Sequence, residues 1–494
     1  MTTDMVWSEQ ILNTSMRLRY DSGTYLDGQN YSGMDEIRSL SLLMADLPEL
    51  HPYSGNGNLI PPPERNRPRQ ETFAALLLKT VDTSAYWREE WISFWRDHFS
   101  IYAEPNNIGC YLPHWERTVI RQYAFGNFRN FLEASSKHPC MQYYLNNRSS
   151  RAGSANENFA RELFELHTLG RDAYLNNLYA NWRNVPGAIS GKPTGYIDQD
   201  VYEAARAFTG WSVEDGAGIG AGQSLPKTGR FTYVEGWHDN YQKRILATEF
   251  DPYNAPMVDG QRVLDLCANH PATAQHLAKK LVQRMVSDTP PKALIQSTAK
   301  VFQTFAKATD QLNQVYLHIL SEAQKIPAAQ KQKVRRPLRL VSAFAQAVNL
   351  PLVLGDGTIL SHIENAGPPI YKWPSPDGPP DGLAWYLSAQ YVRLRINLVQ
   401  GLAENWWGNG EFDPFAGLPA KRSFTQMLAR WETPLFGQPR PDLSLALLAS
   451  QNTKGDEMVM DVRRARRLVG LLACAPSFQT EVVLPPAALN DKVV

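Results

Sequence analysis

Residues 156–170 read Asn156-Glu-Asn-Phe-Ala-Arg-Glu-Leu-Phe-Glu-Leu-His-Thr-Leu-Gly170, with apolar side chains spaced by three and four. That spacing is helical, since strand residues would alternate. Phe159, Leu163, Leu166 and His167 fall on one face, and Glu157, Asn158, Arg161, Glu162 and Glu165 on the other. Ser154-Ala-Asn-Glu157 has the pattern of a capping box, and Gly170 stands where a glycine closes a helix.

The same reading, carried outward, predicts helices over 71–80, 84–101, 113–135, 155–170, 200–209, 271–286, 292–306, 310–324, 335–348, 384–404, 422–430 and 459–474. Asp200 to Glu203 is a second capping pattern, and Pro271 sits where a first-turn proline belongs. Proline and glycine gather between these segments, above all in 368–382, PPIYKWPSPDGPPDG. The expected fold is mainly α: a large multi-helix globular body with long Pro/Gly-rich loops and little β. Its 494 residues suffice for an N-terminal helical lobe, 1–255, and a C-terminal one, 256–494, or for one continuous domain.

Composition removes several classes of function. A 43% hydrophobic chain with 20% charged residues is neither disordered nor fibrous, and a net charge of +1 offers no general attraction to nucleic acid. Cys110, Cys140, Cys267 and Cys474 are scattered with no zinc-ligand spacing, so they read as unpaired buried thiols. The longest uncharged apolar stretch, 468–478, is far short of the roughly 20 residues that span a bilayer. No export signal is legible in the first twenty residues, so the chain as given is expected in the cytoplasm.

Chemistry is sought in histidines and carboxylates. On a helical wheel, His98 shares a sector with Trp87, Trp91, Phe94, Trp95, Phe99 and Tyr102, so it faces an aromatic interior that favours the neutral imidazole, able to act as base or metal ligand. Glu162 and Glu165, at i and i+3, can approach one ion or one substrate, or can pair with Arg161 and neighbouring helices. His167 points about 140° away from Glu162 on an ideal α-helix, so a metal would need His98 or His238. Trp237-His238-Asp239 places a base and an acid in a loop, close to Lys243. His270 and His276 read as capping and exposed residues. The glycines of 216–222 do not satisfy a nucleotide fingerprint and read as a flexible loop. The arginines at 463, 464, 466 and 467 read as a solvated face or an inter-helix clamp.

The 156–170 string, together with Tyr196–Trp211 (YIDQDVYEAARAFTGW), resembles the signature of the bacterial domain of unknown function 1800 family. FWRDHF at 94–99, FRNFL at 128–132, HPCMQYYLNN at 138–147, WHDNYQKRIL at 237–246, HPATAQHLAKKL at 270–281 and RRLVGLLACAPSFQ at 466–479 extend the resemblance along the chain. It implies a mainly helical protein, exported in many relatives, with a domain of unknown function 1501 family protein as its partner. Two departures stand out: Asn146 replaces a usual Asp, and the 171–195 interval is longer than usual.

The expected function is that of an enzyme using clustered Glu and His on a polar substrate such as a carbohydrate. The expected catalytic residues are Glu162, Glu165, His98, His238 and Asp239. Trp95, Asn158, Arg161, Trp211 and Trp237 are the expected substrate contacts. Two mechanisms fit: acid–base chemistry, or a divalent Fe, Mn or Zn held by His98, Glu162, Glu165 and His238. The alternative is a non-enzymatic assembly or binding protein working with a partner, with the 368–385 segment as its docking surface.

Overall fold

Helix Pro271–Met285 lies between Tyr86–His98 and Lys292–Thr304, and Lys292–Thr304 in turn packs on Gln311–Ala323. The amphipathic period explains this packing: Leu277, Ala278, Leu281, Val282 and Met285 form the apolar stripe of Pro271–Met285, and all are buried. The computed structural model describes residues 7–55, 59–83 and 86–484. Helix makes up 53% of it and strand 11%, so helix packing rather than a sheet builds the interior. One apolar core runs from Trp7 to Leu484 and draws on both halves of the chain. Helix Arg67–Asp82 packs on Pro337–Val348, and Ala389–Ala403 packs on Val462–Leu472. The core therefore continues across residue 255.

The strands described here form two-stranded ribbons. Ser15–Tyr20 pairs with Met34–Ser39 in a register running from Ser15 opposite Ser39 to Tyr20 opposite Met34. Trp211–Asp215 pairs with Lys227–Tyr233, and Gln332–Val334 ties down Thr480–Val482. The glycine-rich 216–222 segment, expected to be a flexible loop, contributes Gly218–Gly220 to a small hairpin with Gln223–Ser224.

Helix ends differ from the sequence reading for local reasons. The 155–170 helix begins at Glu157, because the Asn156 side chain, not Ser154, accepts from the Asn158 backbone at 2.9 Å. The helix expected over 200–209 starts at Asp198, and Asp200 occupies its third position, accepting from the Ile197 backbone at 2.9 Å. The 113–135 segment breaks at Gly126-Asn127, where Asn127 caps Phe128–Lys137. Helix Tyr86–His98 replaces 84–101, whose residues 84–85 lie outside the described residues. Helices Val258–Asn269, Thr358–Asn365 and Pro441–Ser450 were not anticipated. All four cysteines are unpaired, and three are buried. Among the described residues, no helix is long and apolar enough to cross a membrane. On the last long helix, Arg466 donates to Phe412 O at 2.9 Å and pairs with Glu411, which is the clamp arrangement.

Candidate functional site

Helix Glu157–Glu162 does not continue as α. Leu163–His167 forms a π-helical turn, one residue wider than an α-turn, and three carbonyls of this turn are met from outside the ordinary ladder. Thr168 Oγ1 donates to Leu163 O, His276 Nε2 to Leu166 O at 3.1 Å, and His98 Nε2 to His167 O at 3.1 Å. Gly170 closes the turn by donating to Phe164 O at 2.9 Å. It does so at φ +87, and a Cβ there would lie 2.5 Å from His276 Nδ1. Gly170 thus serves both the left-handed backbone and the close approach of the ring.

Those bonds fix protons. A carbonyl oxygen only accepts, so His98 carries its hydrogen on Nε2 and presents the Nδ1 lone pair to Lys280 Nζ, 3.1 Å away. The rings of His167 and His276 lie 6.0 and 6.4 Å from that of His98. Burial first, then Lys280 and the two neighbouring histidines, holds His98 well below the usual imidazole range. Burial, then Lys280 and His276, takes His167 to about 3, and burial, then Lys280, takes His276 to about 4 against the hydrogen bond to Leu166 O. Burial also lowers Lys280, against the raising influence of Asp381, Asp97 and Asp377. His167 Nε2 is buried with no hydrogen-bond partner among the described residues.

The carboxylate side is built from the same turn and from the Pro-rich loop. Glu165 pairs with Arg171 at 2.6 Å. Glu162 makes no hydrogen bond or ion pair among the described residues; burial, then Glu165, pushes its carboxyl up, Arg171 and Arg161 pull against this, and Asp377 adds to the rise, leaving it at about 7. Asp377 belongs to the segment read as a docking loop. That loop is pinned down: Tyr144 donates to Pro374 O at 2.9 Å, and Arg284 bridges Asp381 at 2.5 Å and Asp97 at 3.1 Å. At Gly378, φ +78, a Cβ would stand 2.3 Å from Asp97 O, so only glycine lets the loop lie this close to the end of helix Tyr86–His98.

The other expected residues sit elsewhere. His238 is buried, its Nδ1 2.8 Å from Thr209 O and its Nε2 3.4 Å from Asp259. Asp239 is clamped by both Arg206 nitrogens at 2.9 Å and accepts from the Tyr241 backbone. Asp259 also receives Lys243 Nζ and Asn254, each at 2.7 Å. Burial alone would raise Asp259; the hydrogen bonds from His238, Lys243 and Asn254 overcome it and bring the carboxyl to about 2. His238 and Asp239 therefore belong to a closed structural knot, because every strong acceptor there already has its donor.

Trp95 and Trp211 are fully buried, so neither can stack on a substrate. Trp95 Nε1 donates to Tyr316, and Trp211 packs directly on Gly260. Trp237 is buried beneath Arg151, 3.7 Å from its ring centroid. Asn158 reaches Leu145 O at 3.4 Å, and Arg161 joins Glu157 to Asp198 at the surface. The expected metal set of His98, Glu162, Glu165 and His238 is not assembled, since both His238 nitrogens are committed to the knot. Among the described residues, no group of three or more His, Cys, Asp or Glu is placed to hold a metal ion. His270 caps its helix as expected but is buried, and its Nε2 donates to Pro193 O at 2.9 Å. His276 is neither a cap nor a surface residue.

Lys280, His276, His167 and Asp377 were missing from the expected site. Only HPATAQHLAKKL carried a usable signal, since His276 and Lys280 stand at i and i+4 and share a helix face.

A mainly helical body in which Asp377 acts both on the half-buried Glu162 carboxyl and on Lys280, itself bonded to His98, defines the class structurally. The chain belongs to the family described as protein of unknown function (DUF1800), whose profile matches residues 7–480. No curated protein and no solved structure matches it.

Proposed function

We propose that this chain is an enzyme performing acid–base chemistry on a polar substrate between the 162–167 segment and the loop carrying Asp377. Glu162 is the group that exchanges the proton. The observation that supports this reading is its half-buried carboxyl, without a hydrogen-bond or ion-pair partner among the described residues and brought to about 7 by burial and by Glu165. A carboxyl at that value is present in both protonation states near neutrality, as general acid–base catalysis requires. Glu165 and Asp377, which both raise the Glu162 carboxyl, supply a carboxylate rim around it. A substrate rich in hydroxyls suits the carboxylate rim, but the buried Trp95 and Trp211 lend no stacking floor.

Carbon-detected NMR of protein labelled at the Glu side-chain carboxyls tests the reading. Two Glu resonances, those of Glu162 and Glu90, are expected to titrate with midpoints near 7, and one of them is expected to disappear in Glu162→Gln. If that variant removes only a resonance titrating below about 5, the ordinary carboxyl range, the acid–base reading fails. Turnover of any substrate found should vanish in Glu162→Gln while the melt is retained.

A further inference from the structure

Helices Arg67–Asp82, Tyr86–His98 and Thr358–Asn365 and the start of Pro337–Val348 enclose a cavity of about 60 Å³, and none of its lining residues belongs to the widened turn. That is room for several waters or a short carbon chain. The lining combines apolar Phe73, Leu76 and Ile363 with Glu90, Arg284 and Arg336. Glu90 and Arg336 keep 13 and 17% of their side-chain surface exposed, so these polar groups are not sealed off.

Donors are left over here. Arg284 spends Nη1 on Asp97 and Asp381 and Nη2 on Ser93, yet its Nε is buried with no hydrogen-bond partner among the described residues and stands 3.7 Å from Glu90. Arg336 gives only Nη1, to Asp97 at 2.5 Å, so Nε and Nη2 of its fork make no hydrogen bond among the described residues. Positive charge is left over as well. Arg284 and Arg336 share Asp97 and Asp381, and Arg335 and Arg339 share Glu481, which sets four arginines against three carboxylates before Glu90 is counted. The other charged lining groups are matched, Glu89 by Arg121, Arg96 by Glu116, and Glu364 by Arg69 and Lys372.

We propose that this cavity binds a small aliphatic monocarboxylate, its oxygens taking the free part of the Arg336 fork and the Arg284 Nε–H, and its chain resting on Phe73, Leu76 and Ile363. A planar carboxylate suits a guanidinium fork, and it brings the single negative charge that balances the fourth arginine when Glu90 is protonated. Burial, then Glu481, pushes the Glu90 carboxyl up to about 7 against Arg336 and Arg339, with Asp97 adding to the rise, so near neutrality Glu90 takes up a proton as the anion enters. The assignment is independent of the role of Glu162.

Isothermal titration calorimetry of the intact protein with sodium propionate is the test. One saturable site is expected at pH 6, and binding about 10-fold weaker at pH 8, because a group with its midpoint near 7 must then first be protonated. At pH 7, paired buffers of different ionisation enthalpy should report about half a proton taken up per propionate. Glu90→Gln, neutral at every pH, should bind equally at pH 6 and pH 8. Arg336→Lys keeps the charge beside Asp97 but loses the fork, and should bind at least about 10-fold more weakly. No saturable binding by about 10 mM at pH 6, affinity that does not change between pH 6 and pH 8, or undiminished affinity in a folded Arg336→Lys overturns the proposal, as does n-propylamine binding in place of propionate. If Arg336→Lys does not fold, proton uptake by the native protein and its loss in Glu90→Gln decide.

Discussion

Two clusters of charged and imidazole groups lie in this protein, and they differ in how their polar atoms are satisfied. In the knot around Asp259, the carboxylate receives His238, Lys243 and Asn254, while Asp239 receives Arg206. Around the widened turn, among the described residues, Glu162 has no hydrogen-bond or ion-pair partner, Lys280 meets only the His98 imidazole, and His167 Nε2 has no hydrogen-bond partner. Leaving such groups unmet costs stability that a purely structural cluster would recover. What separates the two places is whether the last donor found its acceptor.

Breaking the knot should produce the largest effect. Asp259→Asn strands Lys243, whose side chain is fully buried, and should cost about 3–5 kcal/mol in denaturant unfolding. A loss under about 1 kcal/mol would mean that Lys243 is held by the Asp239 and Tyr241 carbonyls alone.

Acid is expected to break the cleft by way of its histidines. An imidazole held below its ordinary 6.5 binds fewer protons folded than unfolded, so stability falls as pH drops through 6.5 towards the folded value. For His167, at about 3, acidification from pH 6.5 to pH 4 should cost roughly 3 kcal/mol. His167→Gln should flatten that limb of the stability curve; an unchanged slope would contradict the buried neutral ring.

Gly170→Ala should cost about 2 kcal/mol, from the left-handed backbone and the contact with His276, read as a lower melting temperature. A neutral result would show that the His276 ring can retreat at no cost.

The smallest effect has the opposite sign. Glu162 sits above the ordinary carboxyl value, so its ionisation destabilises the fold as pH rises from the unfolded range through about 7. Discounted for its solvent exposure, the penalty is on the order of 1 kcal/mol, and Glu162→Gln should recover it at pH 8 but not at pH 5. Destabilisation at both pH values would place Glu162 with the knot and sharpen the comparison against the enzyme reading.

The helices were legible because their stripes are long: the aromatic sector around His98 is present as read, with Phe94, Trp95 and Phe99 against the ring. The site was legible in part. Glu162, Glu165 and His98 were named, but a wheel at 100° per residue cannot register a π-turn, so His167 was left out. His238 and Asp239 look catalytic in sequence because Arg206, Thr209 and Asp259, the residues that occupy them, lie on other elements. Asp377 lies in a proline-rich segment with no period, and its approach to the cleft depends on Arg284, some ninety positions upstream of it.

The widened turn at Leu163–His167 makes the site depend on counting. Removing one residue would restore the α-helical pitch and draw back into the ordinary ladder the carbonyls that His98, His276 and Thr168 meet. A single-codon change in the length of this segment would therefore cost three side-chain contacts at once, without a substitution at any of the residues that make them.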